Sequence, residues 1–260
     1  MIVGISLDTD QLNKSYDLVV HNLDILNHIQ FYLTVDPLDL QKNEILKFQK
    51  DFKNTTLTYS LHSYGYINLC EPIEKVRRSW VNIAYETLDL AKDTSSIFVN
   101  YHMGYSVSES ISRQLLLEKL CTSLKEISRY AQKFSINVNI ENDFDTLEVK
   151  RLGSSLTDFD TIINCGYSNI KMCYDVGHAN IAFSTPFEYK KYIDYIQSFH
   201  IHNNEGKIDT HNPFGENGSI NLEDIVVDLM SNNNAFFILE NSINSYTNAL
   251  RNLKLFLTFR

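Results

Sequence analysis

Cysteine is scarce and never closely paired along the chain. Cys70, Cys121, Cys165 and Cys173 are the only four, and no C-x-x-C spacing occurs. A zinc site built on thiolates is therefore not expected, and reduced, mostly buried thiols of a cytoplasmic protein are. No apolar run approaches the roughly 18 residues that a bilayer span requires. Residues 1–8 carry no basic group ahead of their apolar ones, so they read as a first strand and not as a signal peptide. Positive charge is in deficit, with 23 Lys and Arg against 32 Asp and Glu and a net charge of −9. That balance argues against a broad nucleic-acid-binding face. A local basic patch, or bound divalent cations that offset negative charge, would still allow a smaller one. No linker, composition shift or low-complexity segment marks a domain boundary, and the run Asn232, Asn233, Asn234 reads as a short turn.

What is present is the composition of a globular chain, 43% hydrophobic and 21% charged over 260 residues. Such a length buries one large core or two small ones. Strand-like runs are expected over residues 2–6, 29–34, 57–62, 96–102, 136–141, 170–174, 196–202 and 235–239. Helical spacing is expected over 18–27, 38–52, 72–91, 109–134, 157–165, 186–195, 222–231 and 246–259, with Gly166 as a stop signal. This alternation implies parallel strands joined by helical crossovers, an α/β class. Eight such units match a single-domain (β/α)8 TIM barrel over residues 1–260, since that fold typically takes ~250 residues. A doubly wound open sheet is the competitor.

In a parallel barrel the chemistry sits at the C-terminal ends of the strands. Six consecutive strands end in a candidate ligand: His62, His102, Glu141, Asp175, His200 with His202, and Glu240. His178, Asp209 and His211 follow in the adjoining loops. Singly, each has an ordinary reading. A lone His is more often a satisfied core or surface residue. Asp175 could cap a helix through the backbone of His178, and Glu141 could belong to a solvated loop or a cap. Jointly, buried carboxylates and imidazoles need partners, and a divalent metal is the simplest common one. Mixed His and carboxylate ligands suit Zn²⁺, Mn²⁺, Co²⁺ or Fe²⁺ better than Ca²⁺.

Several short motifs add to this. They are LHSYGYINL at 61–69, YHMG at 101–104, IEN at 140–142, YDVGHAN at 174–180, the Asp209-x-His211 pair, GENG at 215–218 and LEN at 239–241. In this order the chain resembles the xylose isomerase-like TIM-barrel superfamily, which contains sugar isomerases and epimerases and the deoxyribonuclease IV type of abasic-site endonuclease. The resemblance implies a core metal site from Glu141, Asp175, His200 and Glu240. His200 is chosen over His202 because the family pattern is His-apolar-x-Asp/Asn. Endonuclease-like members add ligands matching His62 and His102 for one further metal, and His178, Asp209 and His211 for another. Asn203 stands where the family usually has Asp, a departure expected to weaken the orientation of a ligand. The loops after the first two strands, residues 7–13 and 35–39, are acidic and lack arginine; at the mouth Lys207 is an exception. A grip on a phosphate backbone needs several cations.

Two activities follow from the resemblance. The first is a divalent-metal-dependent sugar or sugar-phosphate isomerase or epimerase, with Glu141 and Glu240 as base and acid and His178 on a substrate oxygen. Tyr64, Tyr66 and Tyr105 would stack on the sugar or simply form the pocket wall. The alternative is a multi-zinc phosphodiesterase acting on abasic DNA, in which Glu141 bridges two metals. Zinc or manganese is the expected ion, in one to three copies. A small sugar is the expected partner, nucleic acid only under the alternative, and no membrane.

Overall fold

The computed structural model describes residues 2–183, 185–232 and 235–259, so Asn233 and Asn234 of the expected turn lie outside the described residues. Eight strands carry the fold: β1 Ile2–Asp8, β2 His28–Tyr32, β3 Thr58–His62, β4 Phe98–His102, β5 Asn137–Glu141, β6 Ile170–Asp175, β7 Ile196–Ile201 and β8 Phe236–Leu239. All neighbours in the sheet run parallel, in sequential order, and β1 closes on β8 with Ile2 opposite Phe236 and Ile5 opposite Leu239. The helices are α1 Leu12–Val20, α2 Leu38–Asp51, α3 Glu74–Asp93, α4 Arg113–Gln132, α5 Leu156–Ile163, α6 Val176–Ala182, α7 Leu222–Asn232 and α8 Tyr246–Thr258. This is the expected (β/α)8 barrel. No described helix is long and apolar enough to cross a membrane.

Strand alternation sends successive side chains to opposite faces. Phe31, Val99, Tyr101, Val138 and Phe199 point out into the apolar layer beneath the helices. The inward positions are largely polar and satisfy one another. His28 shares hydrogen bonds with Thr58 Oγ1 and Ser60 Oγ, both at 2.8 Å, and Asn139 Nδ2 donates to Ser198 Oγ at 3.0 Å. Burial pushes the His28 pKa down to about 3, so it is a neutral polar plug. At the N-terminal end of the barrel it packs against Phe98 and Phe236, which with Ile238 form a small separate apolar cluster. A polar column of this kind leads upward to the strand ends.

Two segments depart from expectation. Helical spacing over 18–27 is realised earlier, as α1 Leu12–Val20. It stops there because His21 and Asn22 turn their side chains onto the carbonyls of Asp17 and Leu18, at 2.6 and 2.7 Å, and so compete with further helix. The helix expected over 186–195 is a 3₁₀ segment, Pro186–Tyr192, while α6 forms unforeseen just after β6. Asp175 starts α6 by accepting the His178 N–H at 2.6 Å.

Candidate active site and metal centres

The strand ends and the segments that follow them bring the expected ligands to one mouth. Among the described residues five overlapping groups form there in which ligand atoms lie within 4.8 Å of one another; two, His62 with His200 and Glu240 and Glu141 with Cys173 and His200, overlap the core, and the other three take in all the expected ligands. The first of these three is His62, His102 and Glu141. The second is Glu141, Asp175, His200 and Glu240. The third is His178, His202, Asp209 and His211. Glu141 belongs to two of them. Its Oε2 faces His62 Nε2 at 3.1 Å and its Oε1 faces His200 Nδ1 at 3.2 Å. His200 Nδ1 also lies 2.9 Å from Glu240 Oε2 and 3.9 Å from Asp175 Oδ2. In the third group Asp209 Oδ2 meets His211 Nε2 at 2.9 Å and His178 Nε2 at 3.3 Å.

The backbone aims the histidines. His62 Nδ1–H donates to Ser63 O at 2.6 Å, His178 Nδ1–H to Asn142 O at 2.9 Å, and His211 Nδ1–H to Glu240 O at 2.9 Å. His200 Nε2–H donates to Gln30 Oε1 at 2.8 Å across the barrel. In each case one ring nitrogen is spent on an acceptor and the other is turned toward the carboxylates, the arrangement that fixes the tautomer of a metal-binding imidazole. The two Glu-Asn pairs act alike. Asn142 exchanges two bonds with the Asp175 backbone, at 2.7 and 2.8 Å, and Asn241 Nδ2 donates to His211 O at 2.9 Å. Each Asn thus latches the backbone of a residue in a neighbouring element. Asp175 keeps both roles open in the sequence: one oxygen caps α6 while the carboxylate stays in the cluster.

Charge is concentrated here. Burial opposes ionisation of Glu141, but His200 and His102 beside it hold its carboxyl well below the usual range. Burial likewise opposes the His178 cation, yet Asp175 and Asp209 hold its pKa well above the imidazole value. His211 is pushed up to about 9, against its burial, by Asp209 and Glu240. His211 also sits at φ 48°, a left-handed backbone that costs a non-glycine residue about 1 kcal/mol or more and persists where surrounding contacts enforce it.

The residues fit divalent ions. His202 Nδ1 and Asp209 Oδ1 are buried with no hydrogen bond and face each other at 3.5 Å. Buried lone pairs without a donor are costly unless something electropositive completes them. The donor set, imidazole with carboxylate, suits zinc or manganese.

His200 and His202, the two candidates at the end of the seventh strand, fall into different groups. His200 joins the core group, and His202, one residue past β7, joins the loop group, with its ring stacked on His211 at 4.0 Å. Gly177 makes room for it, since a Cβ there would come 1.9 Å from His202 Cε1. The departure at Asn203 does not touch a ligand. Its amide donates to Ile220 O at 2.8 Å and accepts from Ile220 N at 3.0 Å, pinning the end of the loop. The expected loss of ligand orientation is thereby corrected. An Asp there would lack the donor for Ile220 O.

Above the groups opens a cavity of about 650 Å³. Its wall carries Asp8, Asp143, Asp209, Glu141 and Glu240, and among the described residues Arg151 is its one Lys or Arg. Of the three tyrosines expected at the substrate, Tyr66 lines the cavity and Tyr64 and Tyr105 do not; Tyr32, Phe144 and Tyr246 also line it. Lys207 is exposed and is not part of this wall. Sequence reasoning passed over Arg151, Gln30 and Asn100, whose Nδ2 donates to Glu141 Oε2. A polar residue two positions before a strand-end ligand, on the same inward face, was the available signal for Asn100, which precedes His102. Gln30→Leu is expected to weaken divalent-metal binding about 10- to 100-fold, because His200 loses the acceptor that orients it. Isothermal titration of the metal-free protein measures this, and unchanged affinity would show the bond to be idle.

These features define a (β/α)8 barrel with clustered potential metal ligands at its mouth, and the comparison with known proteins agrees on the fold. Residues 23–255 match the family described as xylose isomerase-like TIM barrel, and the chain belongs to that family. An uncharacterised protein of Methanocaldococcus jannaschii is 28% identical over 176 residues, spanning 66% of this chain and 66% of that protein. The crystal structure of a D-tagatose 3-epimerase-like protein superposes with a TM-score of 0.83 at 21% identity, covering 100% of this chain and 98% of that one. An L-ribulose 3-epimerase superposes with a TM-score of 0.77 at 15% identity, covering 100% and 95%.

Proposed function

We propose that the protein is a divalent-metal-dependent isomerase or epimerase of a sugar or sugar phosphate, working by proton transfer beside a carbonyl. The observation that carries the reading is the placement of two carboxylates, Glu141 and Glu240, from separate strands, at 3.2 and 2.9 Å from the same His200 nitrogen. A divalent ion held by Glu141, Asp175, His200 and Glu240 would polarise a carbonyl and hydroxyl pair as a Lewis acid. Glu141 then takes a proton from one face of the substrate carbon and Glu240 returns one to the other, or the reverse. His178 holds a substrate oxygen, and His102, tied to Asp143 at 3.3 Å, shapes the wall. The cavity is of small-molecule size. Its acidic wall disfavours a polyanion and tolerates a polyol. The names of the epimerase neighbours support the same class.

A metal-dependent phosphodiesterase is the second reading, favoured by one observation: the group His178, His202, Asp209 and His211 is complete. A proton-transfer enzyme does not require it. One experiment separates the two. Protein loaded with Mn²⁺ or Zn²⁺ is incubated in D₂O with a panel of ketoses, aldoses and their phosphates, and in parallel with a duplex containing an abasic site. The expected result is a new sugar isomer carrying deuterium at the carbon that lost its proton. Asp209→Ala should then keep turnover within about tenfold, since its group lies outside the core site. Nicking of the abasic duplex without exchange on any sugar would reverse the assignment.

A further inference from the structure

The sequence separates Cys121 and Cys165 widely, yet the fold sets their Sγ atoms 3.4 Å apart, across |i−j| = 44. Cys121 lies in α4. Cys165 lies two residues beyond the end of α5, followed by Gly166 at φ 71°. Both are partly exposed, whereas Cys70 and Cys173 are buried. The Cys165 thiol also reaches Thr161 O at 3.5 Å, but no ion pair or metal-binding group among the described residues occupies the pair.

We propose that Cys121 and Cys165 are an oxidisable dithiol that closes to an intramolecular disulfide, stapling α4 to the C-terminal end of α5. Closing the sulfurs from 3.4 Å to the roughly 2.05 Å of a disulfide is a small movement. The segment after α5 can absorb it, because Cys165 stands outside the helix beside a glycine in the left-handed region. The structure also gives the staple something to do. α5 has only 8 residues, and a cavity of about 270 Å³ opens between it, β6 and Tyr195. Its N-terminal end is already clamped to α4, through Asp158, which accepts Arg113 Nε–H at 2.9 Å and the Gly153 N–H at 2.7 Å. The disulfide would clamp the other end.

The oxidant belongs to the class of small disulfides such as oxidised glutathione. One cysteine thiolate attacks it, forming a mixed disulfide and releasing one small thiol. The second cysteine then loses its proton and displaces the other small thiol, so the protein gives up two electrons and two protons and the oxidant becomes two thiols. Burial and the neighbouring Cys165 push the Cys121 thiol up to about 12, which makes the pair slow to react and suits a structural staple more than a rapid sensor.

The test incubates the purified full chain with oxidised or reduced glutathione, followed by alkylation under denaturing conditions, peptide mapping and thermal melts. Oxidation should remove two of the four alkylatable thiols and yield one peptide pair joining Cys121 to Cys165. The melting midpoint should rise by roughly 5–10 °C and fall back on reduction. Cys121→Ser and Cys165→Ser should each lose the gain while melting like the reduced wild type; Cys165→Ala, at the more exposed segment, guards against a packing defect at Cys121. Four free thiols after oxidation, a link between two chains, or glutathione left on a single cysteine would each overturn the proposal.

Discussion

Glu141→Gln will lower turnover by at least about 10³-fold, the upper part of the range for losing a positioned acid or base. The expectation rests on how many tasks one buried carboxylate performs. Its Oε2 accepts from Asn100 and faces His62 Nε2 at 3.1 Å, and its Oε1 stands against His200 and, at 3.6 Å, against His178. Gln keeps the shape but replaces one acceptor oxygen by an NH₂ group that faces other donors. It cannot accept a proton at neutral pH, and it takes a shared ligand away from two of the three groups. Steady-state kinetics and elemental analysis on the same preparation check both effects, with falls expected in kcat and in bound metal. Glu240→Gln serves as the comparison, since Glu240 belongs to the core group and not to the one with His102. If Glu141→Gln kept turnover within tenfold of wild type while Glu240→Gln abolished it, Glu141 would not be the proton-transfer residue.

Stripping the metal will destabilise the protein, by about 4 kcal/mol where the ion is present at a thousand times its Kd. For a chain of this size that corresponds to a fall of roughly 10 °C in the melting midpoint. The effect has a pH signature. Without metal, the groups are held by imidazolium–carboxylate pairs. His178 lies well above the imidazole value and His211 at about 9, so their contribution is complete below the unfolded value of 6.5 and is lost as pH rises through about 9. Glu141, Glu240 and Asp209 are held below their ordinary values, chiefly by His200 and by His178 against the opposing effect of burial. Their contribution is present above the unfolded carboxylate range and is lost only in acid. Metal binding instead requires neutral imidazoles and strengthens as they deprotonate. The gap in melting midpoint between metal-loaded and chelated protein should therefore widen from pH 6 to pH 9. A constant gap across that range would show that these histidines do not exchange protons for metal.

Much of the site was legible because barrel chemistry gathers at strand ends. His62, His102, Glu141 and Asp175 are the last residues of β3, β4, β5 and β6, and all four fall within the groups. Glu240 follows β8 directly, where the expected strand ended. Less legible was what supports them. Gln30 holds His200 across |i−j| = 170, and no local spacing announces that pairing. α6 was missed because its first turn is also the ligand motif, with Asp175 at the cap and His178 three residues on. The tyrosines were misplaced because the loops after β3 and β4 decide which ring meets the cavity, and loop paths do not follow from periodicity.

Eight alternations of strand-like and helical spacing were enough to point to the barrel, with an open sheet as the competitor, since parallel strands need helical crossovers. The kinds of ligand and their gathering at one rim followed from the same rule. The division of labour between His200 and His202 did not. Both point inward, and their separation into different groups depends on Asp209 and His211 folding back over β7 and on Gly177 leaving space beside α6. The contact of Cys121 with Cys165 is of the same kind. It depends on α4 lying beside the segment that follows α5, and packing alone brings such residues together.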